Sequence, residues 1–377
     1  MTTNLTRPIS VIHPPRIEFG SGIAPITGRW VREKGFTRAL VVADAFNARR
    51  VDQLGLDGTV TVFGDVKPEP DVPNLQALLA CAEAADAQVV VGFGGGSSMD
   101  LAKVASVLAG SGQSIADVAG AGKVTGKRVA LVQVPTTSGT GSEAGTRALI
   151  TDPLTRNKLA VESIHLLADL AVVDPDLTLS VPPPVTAATG VDALAHCVET
   201  FTNRRAHPTI DLYALEGIRL VGCWLPRAIA DGADREARAG LSLAALYGGF
   251  CLGPVNTTAG HAIAYPLGTR HQVAHGAAVA LIFPHALAFN TPAVPERTAA
   301  VLTALGLPTA SEPQMVFDAA HRWCADLGCK MRLSAFGIPD EDLPQMADEA
   351  HAIRRLLDNN PREVDRNDIL AMYRAAL

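Results

Sequence analysis

An α/β half on a parallel sheet, followed by an all-helical half, is the architecture predicted for this chain of 377 residues. Three observations predict it. Short β-branched runs alternate with helical patterns through the first half. The alternation stops at the proline run Pro182–Pro184. Beyond Val185 the apolar residues keep a helical spacing, with no convincing strand. The length suits about two domains, so residues 1–181 are expected to form an α/β domain and residues 182–377 an all-helical one.

In the first half, strands are expected at Ala39–Ala43, Thr59–Phe63, Gln88–Val91 and Val129–Val134, each closed by a glycine, proline or acidic break. Asn74–Ala85 and Met99–Leu108 between them have apolar residues every three or four positions, as a helix requires. Such alternation builds a parallel sheet covered on both faces, and its ligands bind at the carboxyl ends of the strands. In the second half Ala193–Phe201, Ile210–Leu220, Glu236–Leu246, Ala277–Phe283, Pro313–Leu327 and Asn367–Ala376 read as helices.

Composition narrows the function. Lys+Arg number 32 against Asp+Glu 38, a net charge of −6, so no concentrated cationic face is offered to nucleic acid or an anionic membrane. The six cysteines form no C-x-x-C and are expected as free thiols in a reducing cytoplasm. The opening MTTNLTRPIS has no apolar run, and the greasiest stretch, Ala277–Phe289, reads as too short to span a bilayer. The expectation is a soluble, cytoplasmic protein acting on a small molecule.

Strand Val89–Val91 runs into Gly92-Phe93-Gly94-Gly95-Gly96-Ser97-Ser98, and a helix follows. Glycines there let a ligand approach the backbone, and a helix N-terminus offers free N–H groups to a phosphate. Alone, such a turn is equally an ordinary tight turn. A second polar turn, Pro135-Thr136-Thr137-Ser138-Gly139-Thr140-Gly141-Ser142-Glu143, follows the next strand. Together the two turns point to a dinucleotide site on a Rossmann-like sheet. Asp44, ending its strand, can accept from a ribose diol and repel a 2′-phosphate, favouring NAD over NADP; a helix N-cap is the plainer role. Glu69 adds to that discrimination or is a solvated loop charge.

Asp192 and His196 stand four apart on a helical pattern, hence on one face. His261 and His275 lie in Gly260-His261 and His275-Gly276. One carboxylate with three imidazoles and no thiolate suits a borderline divalent ion, Fe²⁺ or Zn²⁺. The other histidines, His13, His165, His207, His285, His321 and His351, read as structural or surface residues.

The runs Gly94-Gly95-Gly96-Ser97-x-x-Asp100-x-x-Lys103, Pro135-Thr136-Thr137-x-Gly139-Thr140-x-Ser142-Glu143, Gly190-Val191-Asp192-Ala193-Leu194-x-His196 and His261-x13-His275-Gly276 resemble those of the iron-containing (group III) alcohol dehydrogenases, in order and over nearly the whole chain. The resemblance implies a dehydroquinate synthase-like architecture and hydride transfer between a small primary alcohol, or its aldehyde, and NAD. It implies Asp192, His196, His261 and His275 as ligands of Fe²⁺, with Zn²⁺ the other candidate. It implies Gly95, Gly96, Ser97 and Asp100 in the pyrophosphate turn, Thr136, Thr137 and Thr140 in the second cofactor loop, and Lys158 at the nicotinamide ribose. A homodimer or higher homo-oligomer is implied too, and Arg16–Phe19 offers an edge for strand pairing.

Tyr265 stands where some members carry a second histidine, so Tyr265 or His271 is the candidate for proton transfer; the plainer roles are a ribose hydrogen bond or packing for Tyr265 and a surface position for His271. Arg270, beside His271, is a candidate for an anionic substrate and equally reads as a surface arginine. The alternative reading is accordingly a reductase of a short oxo acid or other anionic aldehyde, of the hydroxyacid–oxoacid or maleylacetate reductase kind. Maleylacetate reductases usually lack the complete ligand set, which argues against them. A dehydroquinate synthase-like lyase is less favoured, because the segments around the ligands are mostly Ala, Leu, Val and Gly.

Overall fold

The computed structural model describes residues 5–155 and 157–377. The chain divides into two compact units. An α/β unit comprises Ile12–Thr137 and Gly141–Leu179; a helical unit comprises Ser180–Leu377 with Ser138–Thr140 and the described residues through Val11.

The α/β unit runs β1 (Ile17–Phe19), α1 (Ile26–Glu33), β2 (Arg38–Val42), β3 (Thr59–Phe63), α2 (Val72–Ala84), β4 (Val89–Gly94), α3 (Gly96–Leu108), α4 (Ile115–Val118), β5 (Gly120–Ala121), β6 (Ala130–Pro135), β7 (Arg147–Asp152), β8 (Asn157–Glu162) and β9 (Leu170–Val173). Six strands form one sheet in the order β1-β9-β6-β4-β2-β3, every pair parallel. Leu40, Val42, Val90 and Leu131 enter the core beneath α2 and α3, while Ala39, Val41, Val89, Val91 and Val132 enter the other with Trp30 of α1. Successive side chains alternate between two buried faces, so these strands carry consecutive apolar residues rather than one at every second position.

The chain leaves β2 for β3 on one side and returns through β4 to the other. That reversal places the crevice for a ligand at the carboxyl ends of β2 and β4. The four expected strands are β2, β3, β4 and β6. The segment Arg16–Phe19, expected to offer an edge, contains β1 at the end of the sheet; sequence reasoning missed β9 and a small second sheet, β5-β8-β7, in which β7 and β8 are antiparallel.

The helical unit contains α5 (Pro183–Thr202), α6 (Pro208–Ala230), α7 (Arg235–Leu252), α8 (Ala259–His271), α9 (His275–Asn290), α10 (Pro295–Ala304), α11 (Pro313–Asp326), α12 (Leu343–His351), α13 (Arg354–Leu357) and α14 (Arg366–Ala376). Among the described residues no strand follows β9. The prolines opening α5, α6, α10 and α11 sit in the first turn, where a missing N–H costs nothing. Hence α5 starts ten residues before the expected Ala193, inside the proline run itself. Arg238 of α7 pins that start, donating to Val181 O at 2.9 Å and Thr186 Oγ1 at 2.8 Å.

The apolar stretch of α9 is longer than its sequence suggested. With the turn that follows, the run His275–Ala293 covers 19 residues at a mean hydropathy of 1.2, long enough to cross a bilayer. Two thirds of that run is buried in the protein, packed against α5, α8 and α11. Of the free thiols, Cys197, Cys251 and Cys324 are buried, whereas Cys223 is exposed.

Candidate metal centre and cofactor turn

Asp192, His196 and Glu199 follow one stripe of α5, spaced four and then three residues apart, so all three face the same way. His261 lies in the first turn of α8 and His275 is the first residue of α9. Both helices approach α5 where a side chain is missing. A Cβ on Gly260 would lie 2.7 Å from Glu199 Oε1, and one on Gly276 would lie 2.6 Å from Ala188 O. The glycine beside each histidine thus sets how near its helix comes.

The result is a cluster. Asp192 Oδ1 lies 3.8, 3.4 and 3.5 Å from Nε2 of His196, His261 and His275. One ligand atom from each of the four residues falls within 4.8 Å of the others. Four ligands at 2.0–2.1 Å from a tetrahedral ion would stand about 3.4 Å apart, so these spacings match donors around one centre. They are also too long for good hydrogen bonds. Among the described residues, Asp192 Oδ1 and His261 Nε2 are buried without a hydrogen-bond partner, an arrangement that a shared cation would satisfy. The residues fit a divalent ion.

Electrostatics agree with the geometry. Burial opposes charge on Asp192, yet His196, His275 and His261 together outweigh it and hold the carboxyl well below the usual carboxylate range. Burial pushes the His196 imidazole down to about 4, only partly countered by Asp192. At His261 burial also disfavours charge, but Glu199 on one nitrogen and Asp192 facing the other drive it up to about 10. Two carboxylates thus make this apolar site attractive to positive charge.

Glu199 was not anticipated. Its Oε1 accepts from His261 Nδ1 at 2.6 Å, and its Oε2 accepts from Thr258 N at 2.6 Å and Thr258 Oγ1 at 2.9 Å. Burial works against its charge, but His261 and the Thr258 donors bring its carboxyl below its ordinary value. The signal was present in the sequence as a third acidic or imidazole residue on the Asp192/His196 stripe.

The remaining candidates of this unit separate. Tyr265, one turn beyond His261, has its ring centre 6.0 Å from that of His275. His271 lies ten residues beyond His261 along α8, about 15 Å at the helical rise, and its Nε2 faces Asp342 at 3.3 Å. It is therefore not brought to the cluster. Arg270 pairs with Glu349 at 2.8 Å, which removes it as a free cation for a substrate.

In the α/β unit, α3 begins at the glycine turn, with Gly95 as N-cap and Gly96 and Ser97 in its first turn. Among the described residues no side chain caps it, leaving the first-turn N–H groups to a ligand. A Cβ on Gly95 would lie 3.3 Å from Thr137 Oγ1, so any side chain there would fill the space between the two turns. The residues fit a dinucleotide's phosphates.

Asp44 has the capping role: Oδ1 accepts from the N–H of Phe46 and Asn47, each at 2.9 Å, and Oδ2 from Asn47 Nδ2 at 2.7 Å. Asn47 Nδ2 also reaches Thr136 Oγ1 at 3.2 Å, linking the ends of β2 and β6. Asp44 nonetheless borders the glycine turn, since a Cβ on Gly94 would lie 3.5 Å from its Oδ2. Glu69 is not a free loop charge, for it pairs with Lys158.

Asp100 accepts from Ser142 Oγ at 2.7 Å and Leu149 N at 2.9 Å, so both its oxygens are engaged within the protein. Buried Lys103 donates to Ser142 Oγ at 2.8 Å and to Arg147 O at 2.9 Å; burial brings it down to about 8. Thr140 belongs to the helical unit with Ser138, whose hydroxyl shares a 3.0 Å hydrogen bond with Ser242.

Comparison with known proteins places this geometry. Residues 14–175 match the family described as iron-containing alcohol dehydrogenase, and residues 186–377 match the Fe-containing alcohol dehydrogenase family, C-terminal part. Long-chain-alcohol dehydrogenase 1 of Geobacillus thermodenitrificans is 35% identical over 97% of this chain and 96% of its own length. A crystal structure of 1,3-propanediol oxidoreductase superposes with a TM-score of 0.93 at 30% identity, covering 98% of this chain and all of that one. Sulfoacetaldehyde reductase from Bifidobacterium kashiwanohense, solved in complex with NAD⁺, gives a TM-score of 0.88 at 30% identity over 98% of this chain and 99% of that one. With matches spanning both units, the chain belongs to the iron-containing alcohol dehydrogenase family.

Proposed function

We propose that this oxidoreductase is an NAD-linked dehydrogenase of small primary alcohols, equally a reductase of their aldehydes, that depends on a divalent metal held by Asp192, His196, His261 and His275. The observation that carries the reading is the four-donor cluster with two buried, unpartnered ligand atoms. Fe²⁺ is the proposed ion and Zn²⁺ the alternative, both matching a carboxylate–imidazole donor set. Such an ion supplies Lewis acidity, easing proton loss from an alcohol or drawing electron density from an aldehyde carbonyl.

The chain's own residues do the rest. First-turn N–H groups of Gly96 and Ser97, beside Gly95, bind the pyrophosphate of NAD, and the hydroxyls of Thr136, Thr137 and Thr140 orient the cofactor. Lys158 turns from Glu69 to the nicotinamide ribose. Asp44 keeps oxygen lone pairs for the adenosine ribose diol and repels a 2′-phosphate, which is the basis for NAD over NADP. Asp100 acts through Ser142, steadying the second turn rather than touching the cofactor. Tyr265, whose ring lies 6.0 Å from that of His275, is the candidate for carrying the proton. The reading includes a homo-oligomer, supported by β1, the outermost strand of its sheet, whose Phe19 is 40% exposed.

The test is NADH oxidation against short aldehydes by chelator-stripped protein, with and without added Fe²⁺ or Zn²⁺. Turnover restored by metal is the expected result. Tight NAD and metal binding without turnover of any aldehyde or alcohol would shift the assignment to the lyase reading.

A further inference from the structure

One cation near the cluster has no anion of its own. Arg355 lies in α13, with its guanidinium carbon 5.6 Å from the centre of the Tyr265 ring and its Nη2 donating to Tyr265 Oη at 3.4 Å. Tyr265 in turn stands 6.0 Å, ring to ring, from the proposed ligand His275. The guanidinium therefore lies no farther from that ligand than these two spans laid end to end. Other arginines of this unit are committed elsewhere: Arg270 to Glu349, Arg354 to Asp358, and Arg362 to the carbonyl of Phe289. Among the described residues Arg355 forms no ion pair, and the exposed guanidinium keeps most of its five donors unused.

A guanidinium propped on an aromatic face, with its fork open, is a receptor for a planar or trigonal anion. We propose that Arg355 determines specificity by receiving the anionic end of a short substrate whose other end reacts at the metal cluster. The substrate class is a short aldehyde or primary alcohol bearing a terminal carboxylate or sulfonate, the groups that a guanidinium fork receives. The inference rests on the proposed metal-dependent aldehyde reductase activity and narrows it. It also moves anion recognition from Arg270, which is paired, to a residue far away in sequence.

The experiment uses the full-length, metal-loaded enzyme and compares kcat/KM for sulfoacetaldehyde and succinic semialdehyde with that for neutral butanal. Wild type is expected to prefer at least one anion. In Arg355→Met the ratio of anionic to neutral kcat/KM should fall about 10- to 100-fold, mainly through KM, and Arg355→Lys should restore part of it. A loss confined to one anion supports the proposal and identifies which. A ratio unchanged within twofold, or an equal fall for anionic and neutral substrates, would overturn it, leaving Arg355 as packing for Tyr265. A second arm titrates 2-hydroxyethanesulfonate into metal- and NAD⁺-loaded protein, where Arg355→Met should weaken binding at least tenfold. If no aldehyde turns over, the dehydrogenase reading fails, yet this titration still decides on the anion site.

Discussion

Glu199→Gln isolates what a buried carboxylate behind a metal ligand contributes. In the wild type its Oε1 accepts from His261 Nδ1 at 2.6 Å, which turns Nε2 toward Asp192 across 3.4 Å as the nitrogen whose proton an ion would displace. The other oxygen is held by the backbone and hydroxyl of Thr258, so the carboxylate cannot swing away. Glutamine keeps the volume and one acceptor oxygen. If that oxygen stays with Thr258, the amide NH₂ faces His261 and favours the tautomer protonated on Nε2, which blocks the cluster. Losing such a partner typically costs 10–100-fold in metal affinity, about 1.4–2.8 kcal/mol. Stability should fall by about 1–3 kcal/mol through imperfectly paired buried donors. Competition between the protein and a chromophoric chelator for Co²⁺ or Zn²⁺ reads the affinity directly, without turnover. An affinity within twofold of wild type, in a variant that still folds, would refute the reasoning.

Three other outcomes are expected. His261→Ala should abolish metal binding and activity together while leaving the NAD dissociation constant within about threefold, since the glycine turn belongs to a separate unit; retained metal binding by equilibrium dialysis would contradict the ligand assignment. Asp44→Gly should lose the cap, costing only about a few tenths of a kcal/mol of stability, and should raise the NADP/NAD ratio of kcat/KM at least tenfold; an unchanged ratio would leave Asp44 as a cap alone. Glu143 is pushed up to about 7 by burial, against the pull of its own backbone N–H and Lys103. A carboxyl raised on folding contributes stability at low pH and loses it as pH climbs toward 7. The melting temperature of Glu143→Gln relative to wild type should therefore improve between pH 5 and pH 8, and parallel profiles would disprove it.

The parallel sheet was legible because strands buried on both faces carry unbroken apolar runs, as in Val89–Val91. The short β9 and the polar-edged β7 and β8 lacked that contrast. The ligand set was legible because Asp192 and His196 share a helical face and two glycine–histidine pairs recur later. Helix α8 was not, since Pro266 and its glycines disguise a helix held by tertiary packing. The pairing of Arg270 was hidden for a different reason. Its partner Glu349 is 79 residues away, and no local pattern announces such a pairing. Arg355 went unnoticed likewise, because only the fold sets it on the Tyr265 ring.

The proposed ligands come from α5, α8 and α9, and α9 is the apolar helix at the heart of its unit. An ion seated there would be a cross-link among three helices as well as a reagent. Whatever binds only the folded form adds its binding free energy to the folding equilibrium: at a free ion concentration a hundred times the dissociation constant, about 2.7 kcal/mol. Metal scarcity would then act on the enzyme twice. Turnover would stop, and the unloaded chain would open more often to proteases, so the amount of this protein in a cell would itself report how much metal is at hand.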